Sequence, residues 1–154
     1  MKQFKVKTLS QTKHLAESFA KQLRVGDIVC LYGTLGVGKT AFTRFLVQSF
    51  CGEKEEVPSP TFTLLQTYET DDFPIFHFDL YRLKKPDEVL ELGIEDAFYD
   101  GVSLIEWPDK MGNYLPEKKV LKVEITCQDE VRTFTFSSKN QKWNERLEKW
   151  KEQI

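Results

Sequence analysis

Residues 28–40 read IVCLYGTLGVGKT, in which a short apolar run leads into a glycine-rich segment that ends in Lys39 and Thr40. Glycines followed by Lys and Thr at this spacing form a loop whose backbone N–H groups point at phosphate oxygens. Lys39 adds a positive charge, and Thr40 supplies a hydroxyl for Mg²⁺. The motif therefore predicts a binding site for a nucleoside triphosphate.

The sequence around this loop favours a strand before it and a helix after it. The apolar run follows the turn signal Gly26-Asp27, as expected of a short strand that is buried on both faces. Cys51-Gly52 supplies a plausible stop for the helix. The predicted apolar face of that helix comprises Ala41, Phe42, Phe45, Leu46 and Ser49. The predicted nucleotide contacts are Gly33, Thr34, Leu35, Gly36, Val37, Gly38, Lys39, Thr40 and Ala41.

Composition limits the class of protein. With 154 residues, 40% of them hydrophobic, the chain suits a single domain spanning residues 1–154. A net charge of -2 argues against a general basic surface for nucleic acid. Cys30, Cys51 and Cys127 lack a paired spacing, so we expect buried thiols in a reducing compartment, without disulfide or zinc. No apolar stretch or leader segment indicates a membrane, which predicts a cytoplasmic protein.

The remaining pattern mixes strands and helices without a repeat, which predicts an α/β fold. We expect a P-loop NTPase-like domain with a mixed, mostly parallel central sheet flanked by helices, and with an antiparallel hairpin near the C-terminus. Ser10 is the predicted N-cap of the first helix. Trp143, Leu147 and Trp150 share one face of an amphipathic C-terminal helix at about 140–153. The predicted strands are 4–7, 28–32, 62–68, 75–81, 102–105, 121–125 and 132–136.

Two acidic residues are candidates for positioning Mg²⁺ or water beside the phosphates. Glu106 follows four strand residues, and α/β sheets place ligands at the carboxyl edge of their strands. We expect it to position Mg²⁺ or water, although it could simply be a surface carboxylate. Asp79 lies among large apolar residues, where a charge must be paired or metal-linked. The structural alternative for Asp79 is an ion pair with Arg82.

Other side chains in this part of the sequence are ambiguous. Ser59 and Thr61 offer hydroxyls in a proline-bracketed loop that could reach a phosphate or metal, or could serve only the turn. His77 lies among aromatic residues and is interpreted as a core residue outside the chemistry. Trp107 could pack in the core, stack on a base or face a partner.

The chain resembles the TsaE family of bacterial P-loop ATPases from about residue 4 to 136. The motifs that carry the resemblance are GTLGVGKT, SPTFTL at 59–64, HFDLYRL at 77–83, LGIED at 92–96 and LIEWPDK at 104–110. The resemblance implies a Mg²⁺-dependent ATPase, slow when alone, that docks on the TsaB and TsaD proteins. It would reset that pair during formation of threonylcarbamoyladenosine at tRNA position 37, with only indirect contact to tRNA.

The resemblance also implies roles for individual residues. Lys39 would contact the phosphates, Thr40 and Glu106 would bind Mg²⁺, and Thr61 and Asp79 would belong to switch-like loops. Trp107 matches a family aromatic residue. The base would lie near three further residues, which are Leu9, Ser10 and Arg132.

The phosphate loop departs from the family pattern at two positions. Thr34 replaces a usual Asp, and Val37 stands where Ala is common. If that Asp assists water or metal positioning, hydrolysis here would be slower or would depend more on Asp79. Nucleotide binding should persist because the cradle is made of backbone. Two alternatives to an ATPase subunit stay open at this point. One is a small P-loop kinase, and the other is a nucleotide-gated binding module with little turnover.

Overall fold

The computed structural model describes residues 1–34 and 36–151. Leu35 and residues 152–154 lie outside the described residues. The strands are β1 Lys2–Val6, β2 Ile28–Tyr32, β3 Leu65–Tyr68, β4 Ile75–Asp79, β5 Val102–Glu106, β6 Leu121–Gln128 and β7 Val131–Ser138. The helices are α1 Leu9–Ala20, α2 Lys39–Cys51, α3 Ile94–Asp100 and α4 Gln141–Lys149, with 3₁₀ segments at Pro86–Leu92 and Pro108–Tyr114.

The described strands form a seven-stranded sheet in the order β1-β7-β6-β2-β5-β4-β3. The four central strands, β6, β2, β5 and β4, run parallel to one another. The hairpins β6–β7 and β3–β4 add antiparallel strands, and β1 pairs antiparallel with β7 at the edge. The predicted α/β class, with a mixed central sheet and a late hairpin, is confirmed.

The sheet separates two buried apolar clusters, as a layered α/β structure requires. Helices α1, α2 and α4 contribute Phe19, Phe42 and Trp143 to a cluster with the sheet residues Leu31 and Leu104. The second cluster combines α3 and the 3₁₀ segments with the opposite face of the sheet. Strand β2 is therefore covered on both sides, which agrees with its unbroken apolar run. No helix within residues 1–34 or 36–151 is long and apolar enough to cross a membrane.

Several sequence-based boundaries and faces are wrong. Helix α1 begins one residue before Ser10, because Thr8 is the N-cap and its side chain accepts a hydrogen bond from the Gln11 N–H. Helix α4 ends at Lys149, well before the expected residue 153, since Trp150 has extended backbone angles. Residues 152 and 153 lie outside the described part. Ser49, expected on the buried face of α2, is exposed, as is Cys127, which was expected to be buried.

The topology brings the ends of three strands to one edge of the sheet. Strands β2, β5 and β4 are adjacent and parallel, so their carboxyl ends lie side by side. In the register, Glu106 of β5 lies opposite both Leu31 of β2 and Asp79 of β4. The segment that follows β2 is the glycine-rich loop. The two candidate acidic residues therefore lie beside the predicted phosphate site, on β5, which is next to β2, and on β4, which is next to β5.

Candidate nucleotide-binding site

The glycine-rich loop connects β2 directly to α2. At Gly33, where φ is +150°, an added Cβ would come within 2.8 Å of the Ile125 carbonyl oxygen. Gly38 adopts φ 118° immediately before the helix, and no side chain of the described residues caps the α2 N-terminus. The first N–H groups of α2 are therefore open to an anion, which the helix dipole also favours.

Lys39 is held at the bottom of the site rather than free in solvent. Its Nζ donates a hydrogen bond to the Gly33 carbonyl oxygen at 2.7 Å and lies 3.9 Å from the centroid of the Trp107 ring. Only 5% of the residue is exposed. Burial lowers the pKa of Lys39 below its ordinary value, while the negative charges of Glu106 and Asp79 act in the opposite direction. The ammonium group is thus oriented where a phosphate would complete its coordination.

Glu106 ends β5 with its side chain almost completely buried. One carboxylate oxygen, Oε2, is 2.6 Å from His77 Nε2, and the other, Oε1, is 3.4 Å from the Thr40 hydroxyl. The alternative of an exposed surface carboxylate is therefore wrong. A buried acid directed at the Thr of a phosphate loop suits the role of a metal or water ligand.

Asp79 is buried and hydrogen-bonded on both oxygens. The Thr61 hydroxyl donates to Oδ2 at 2.9 Å, and the Tyr81 N–H donates to Oδ1 at 3.0 Å. The hydroxyls of Ser59 and Thr61 are themselves 2.8 Å apart. Asp79 makes no ion pair with Arg82 among the described residues, because the Arg82 guanidinium lies over the Phe62 ring at 4.2 Å. Asp79 therefore ties the proline-containing loop to the end of β4.

These side chains share one small cavity of about 230 Å³. It is lined by Gly36, Gly38, Lys39, Thr40, Ala41, Ser59, Thr61, Asp79, Glu106 and Trp107. Pockets for whole drug-sized ligands measure roughly 300–1,000 Å³, so this cavity suits a phosphate group and a metal ion rather than an entire nucleotide. Its lining carries two carboxylates against one ammonium. A bound cation would neutralise the excess negative charge of the two carboxylates, so that phosphate groups could bind in the cavity.

The donor set fits Mg²⁺. Carboxylate and hydroxyl oxygens from Glu106, Thr40 and Asp79 are the hard ligands that this ion prefers. Within the described residues there is no cluster of three or more His, Cys, Asp or Glu side chains that would bind a metal by itself. Mg²⁺ characteristically takes one or two protein carboxylates and completes its shell with water and substrate phosphates. Glu106 and Thr40 would hold the ion, with Asp79 nearby.

The other predicted contacts lie outside this cavity. Arg132 Nε donates to the Val37 carbonyl oxygen at 2.8 Å, so Arg132 braces the loop from the start of β7. Thr34 lines a second cavity, of about 380 Å³, against residues 124–127 of β6. Leu9 and Ser10 are exposed at the start of α1. Leu35 is outside the described residues.

Sequence reasoning left His77 out of the site, whereas the structure places its ring against Glu106. His77 is fully buried on the same face of β4 as Asp79. The alternation of side chains along a strand contains this signal, because positions 77 and 79 share a face. What the sequence lacked was the pairing of β4 with β5.

Comparison with known proteins identifies the family of the chain. The family model for the threonylcarbamoyl adenosine biosynthesis protein TsaE matches residues 6–134. The chain belongs to the TsaE family. The tRNA threonylcarbamoyladenosine biosynthesis protein TsaE of Rickettsia bellii is 51% identical over 106 residues, covering 69% of this chain and 74% of that protein. The Bacillus subtilis TsaE protein is 36% identical over 141 residues, covering 90% and 87% of the two chains.

A solved structure extends the similarity to the whole fold. The crystal structure of Bacillus subtilis YdiB superposes with a TM-score of 0.81 and 27% sequence identity. The match covers 97% of this chain and 93% of YdiB. The sequence matches therefore support the family assignment, and the solved structure supports the α/β architecture.

Proposed function

We propose that this TsaE-family chain binds ATP with Mg²⁺ and hydrolyses it. The observation that carries the proposal is the convergence of the phosphate loop, Lys39, Thr40 and Glu106 on one cavity. Lys39 and the backbone N–H groups would neutralise the phosphates, and Glu106 and Thr40 would hold Mg²⁺. The metal would stabilise the charge that develops on the transferred phosphoryl group.

Asp79 and Thr61 would act at the γ-phosphate end of the site. Their hydrogen bond joins the loop 59–64 to β4, and such loops change conformation when a terminal phosphate is bound or lost. Trp107 lies beside Lys39 and 5.0 Å from the ring of Tyr81, which is partly exposed. A change at the phosphates could thereby reach the protein surface.

The contacts from Lys39 through Trp107 to the exposed Tyr81 support an ATPase that depends on a partner. The chain would act on the TsaB–TsaD complex during threonylcarbamoyladenosine modification of tRNA position 37, in the cytoplasm and without direct tRNA contact. Relatives bear the name of that biosynthetic route, and the net charge of -2 offers no general attraction for tRNA. Turnover by the isolated chain would be slow because partner contacts complete the site, as activators do for GTPases.

Two alternative activities make different predictions. A small P-loop kinase would transfer phosphate to an acceptor other than water, whereas a nucleotide-gated module would bind ATP with little turnover. Thr34, in place of the family Asp, favours the second alternative. Product analysis distinguishes the three activities. An ATPase releases free phosphate, a kinase yields a phosphorylated acceptor, and a nucleotide-gated module leaves ATP largely unchanged.

The test combines binding, turnover and a cellular readout. Purified chain is titrated with ATP and with GTP, with and without Mg²⁺, and phosphate release is followed before and after addition of TsaB and TsaD. We expect Mg²⁺-dependent ATP binding and a rate that rises when both partners are present. Depletion of the protein in cells should lower threonylcarbamoyladenosine in bulk tRNA, measured by mass spectrometry. An unchanged tRNA modification level would reject the biosynthetic role.

A further inference from the structure

His77 is a buried polar residue that the phosphate loop motif does not include. It lies in the middle of β4, is fully buried and is opposite Leu104 of β5 in the register. Glu106 is two residues further along β5 than Leu104 and therefore points to the same face. The His77 ring thus lies on the side of the Glu106 carboxylate that faces away from the carboxyl ends of the strands.

The hydrogen bond between these two side chains is short and excluded from water. His77 Nε2 is 2.6 Å from Glu106 Oε2, and the two side chains are 0% and 3% exposed. An ionised Glu106 can only accept a hydrogen bond, and Nε2 then carries the hydrogen. His77 Nδ1 has no hydrogen-bond partner among the described residues. Among the described residues, the His77 ring is therefore hydrogen-bonded only to Glu106.

The two oxygens of Glu106 consequently have different surroundings. Oε2 is held by His77, while Oε1 is directed toward the Thr40 hydroxyl and the cavity. Rotation of the carboxylate would break the 2.6 Å hydrogen bond and leave a buried acceptor unpaired, which is costly. The donor thereby selects one orientation of the carboxylate.

We propose that His77 is a positioning residue that orients Glu106 so that Oε1 faces the metal. The inference rests on the proposed ATP and Mg²⁺ site, and it adds a residue to which the proposed mechanism assigns no role. Hydrogen-bond partners behind metal ligands typically change metal affinity or activity by 10–100-fold when they are replaced. His77 acts through Glu106 and need not touch nucleotide or metal.

Three substitutions separate the hydrogen bond from the volume of the ring. His77→Gln keeps an amide N–H donor near the place of Nε2, whereas His77→Asn carries its donor near the place of Nδ1 and cannot reach Glu106. His77→Leu removes the donor. Ile75→Ala is the matched control, because Ile75 is buried on the same face of β4 at its other end.

The principal readout is metal binding rather than turnover. Mn²⁺ binding is measured by electron paramagnetic resonance with a non-hydrolysable ATP analogue, beside analogue affinity without metal and the Mg²⁺ dependence of phosphate release. We expect His77→Leu and His77→Asn to weaken metal binding about 10–100-fold and to leave metal-free analogue affinity within about twofold, because Lys39 and the loop are unchanged. His77→Gln should stay within about threefold of the wild type, and Ile75→Ala should lose thermal stability without a change in metal affinity.

The interaction with Glu106 is tested directly by a double-mutant cycle. In a Glu106→Gln background, His77→Leu should change metal affinity by less than about threefold, because the group it orients has been replaced. If His77→Leu does not fold, the Gln and Asn variants still decide the matter, since equal metal affinities in these two would overturn the inference. Wild-type metal affinity in a folded Leu variant would overturn it as well. Failure of the wild type to bind Mn²⁺ with the analogue would instead reject the proposed function, and the inference with it.

Discussion

Glu106 and Asp79 are neighbouring carboxylates that receive different support. Asp79 is held by the hydroxyl of Thr61 and the backbone of Tyr81, both from nearby loops. Glu106 is held by His77 and directed at Thr40. We therefore expect Asp79 to respond to movement of the loop 59–64, and Glu106 to serve as the fixed acidic group of the metal site.

Glu106→Gln should strongly reduce Mg²⁺-dependent turnover while ATP still binds. The substitution keeps the size of the side chain but removes its negative charge, which would cost about 3 kcal/mol of transition-state stabilisation, or on the order of 100-fold in rate. Phosphate release and ATP titration measure the two effects. Glu148→Gln is the control, because Glu148 is exposed on α4 and does not line the cavity. Equal turnover by wild type and Glu106→Gln would contradict the assigned role.

Lys39→Met should weaken ATP binding rather than turnover alone. Hydrogen bonds to charged groups are worth about 1.5–3 kcal/mol, so we expect the dissociation constant to rise roughly 10–100-fold. Calorimetric titration measures this change. Lys118→Met, at an exposed position, should leave affinity unchanged. A wild-type dissociation constant in Lys39→Met would exclude Lys39 as a phosphate contact.

At the scale of single elements, local sequence patterns predicted the presence of helices and strands more accurately than their boundaries. The strand before the phosphate loop and the helix after it were predicted from adjacent residues and have the expected ends at Tyr32 and Cys51. The N-cap at Ser10 was wrong because Thr8, two residues earlier, also has a capping side chain and an extended backbone. The C-terminal helix was predicted too long because the spacing of Trp150 fits the apolar face of a helix. In the structure, Trp150 lies just after the helix and packs on Phe4 and Phe136.

Two alanine substitutions within the phosphate loop should differ in stability. Gly33 and Gly36 both have positive φ, so each substitution carries a backbone cost of about 1–2 kcal/mol. A Cβ at Gly33 would also meet the Ile125 backbone and the Val37 side chain, whereas the space around Gly36 is open. We expect Gly33→Ala to reduce the free energy of unfolding by about 1–3 kcal/mol more than Gly36→Ala. Urea denaturation measures both, and equal losses would refute the close contact.

At the scale of the whole molecule, a largely buried ion pair attaches the C-terminal helix to the start of β2. Arg146 of α4 donates to both carboxylate oxygens of Asp27, at 2.7 and 2.8 Å, and also to the Gln22 carbonyl oxygen. Asp27 directly precedes β2. The pair therefore joins residues 119 positions apart and covers the start of the strand that leads to the phosphate loop.

Arg146→Met should lower the free energy of unfolding by about 3–5 kcal/mol, because it leaves the buried Asp27 carboxylate without its ionic partner. Chemical denaturation measures the loss. Adding Asp27→Asn should recover part of it by removing the unpaired charge. Lys142→Met, on the exposed face of α4, is the control. A loss below about 1 kcal/mol would show that the pair does not hold the helix in place.

The candidate site was only partly predictable for the same physical reason. Lys39 and Thr40 were identified from consecutive residues, Glu106 from its position at a strand end, and Asp79 from the large apolar residues around it. His77 was not placed in the site, because its role depends on a hydrogen bond between residues 29 positions apart. The alternative pairing of Asp79 with Arg82 stayed open until the structure showed that the loop 59–64 brings Thr61 to that carboxylate.

By itself, the sequence determined the phosphate loop, its flanking strand and helix, the α/β class and the TsaE-like order of motifs. These features depend on backbone conformation and apolar spacing within short stretches of chain, so neighbouring residues suffice to specify them. Only the tertiary structure decided which side chains share the cavity, how Glu106 is oriented and how α4 is attached. Those contacts depend on strand order and register, which bring together residues that are distant in the chain.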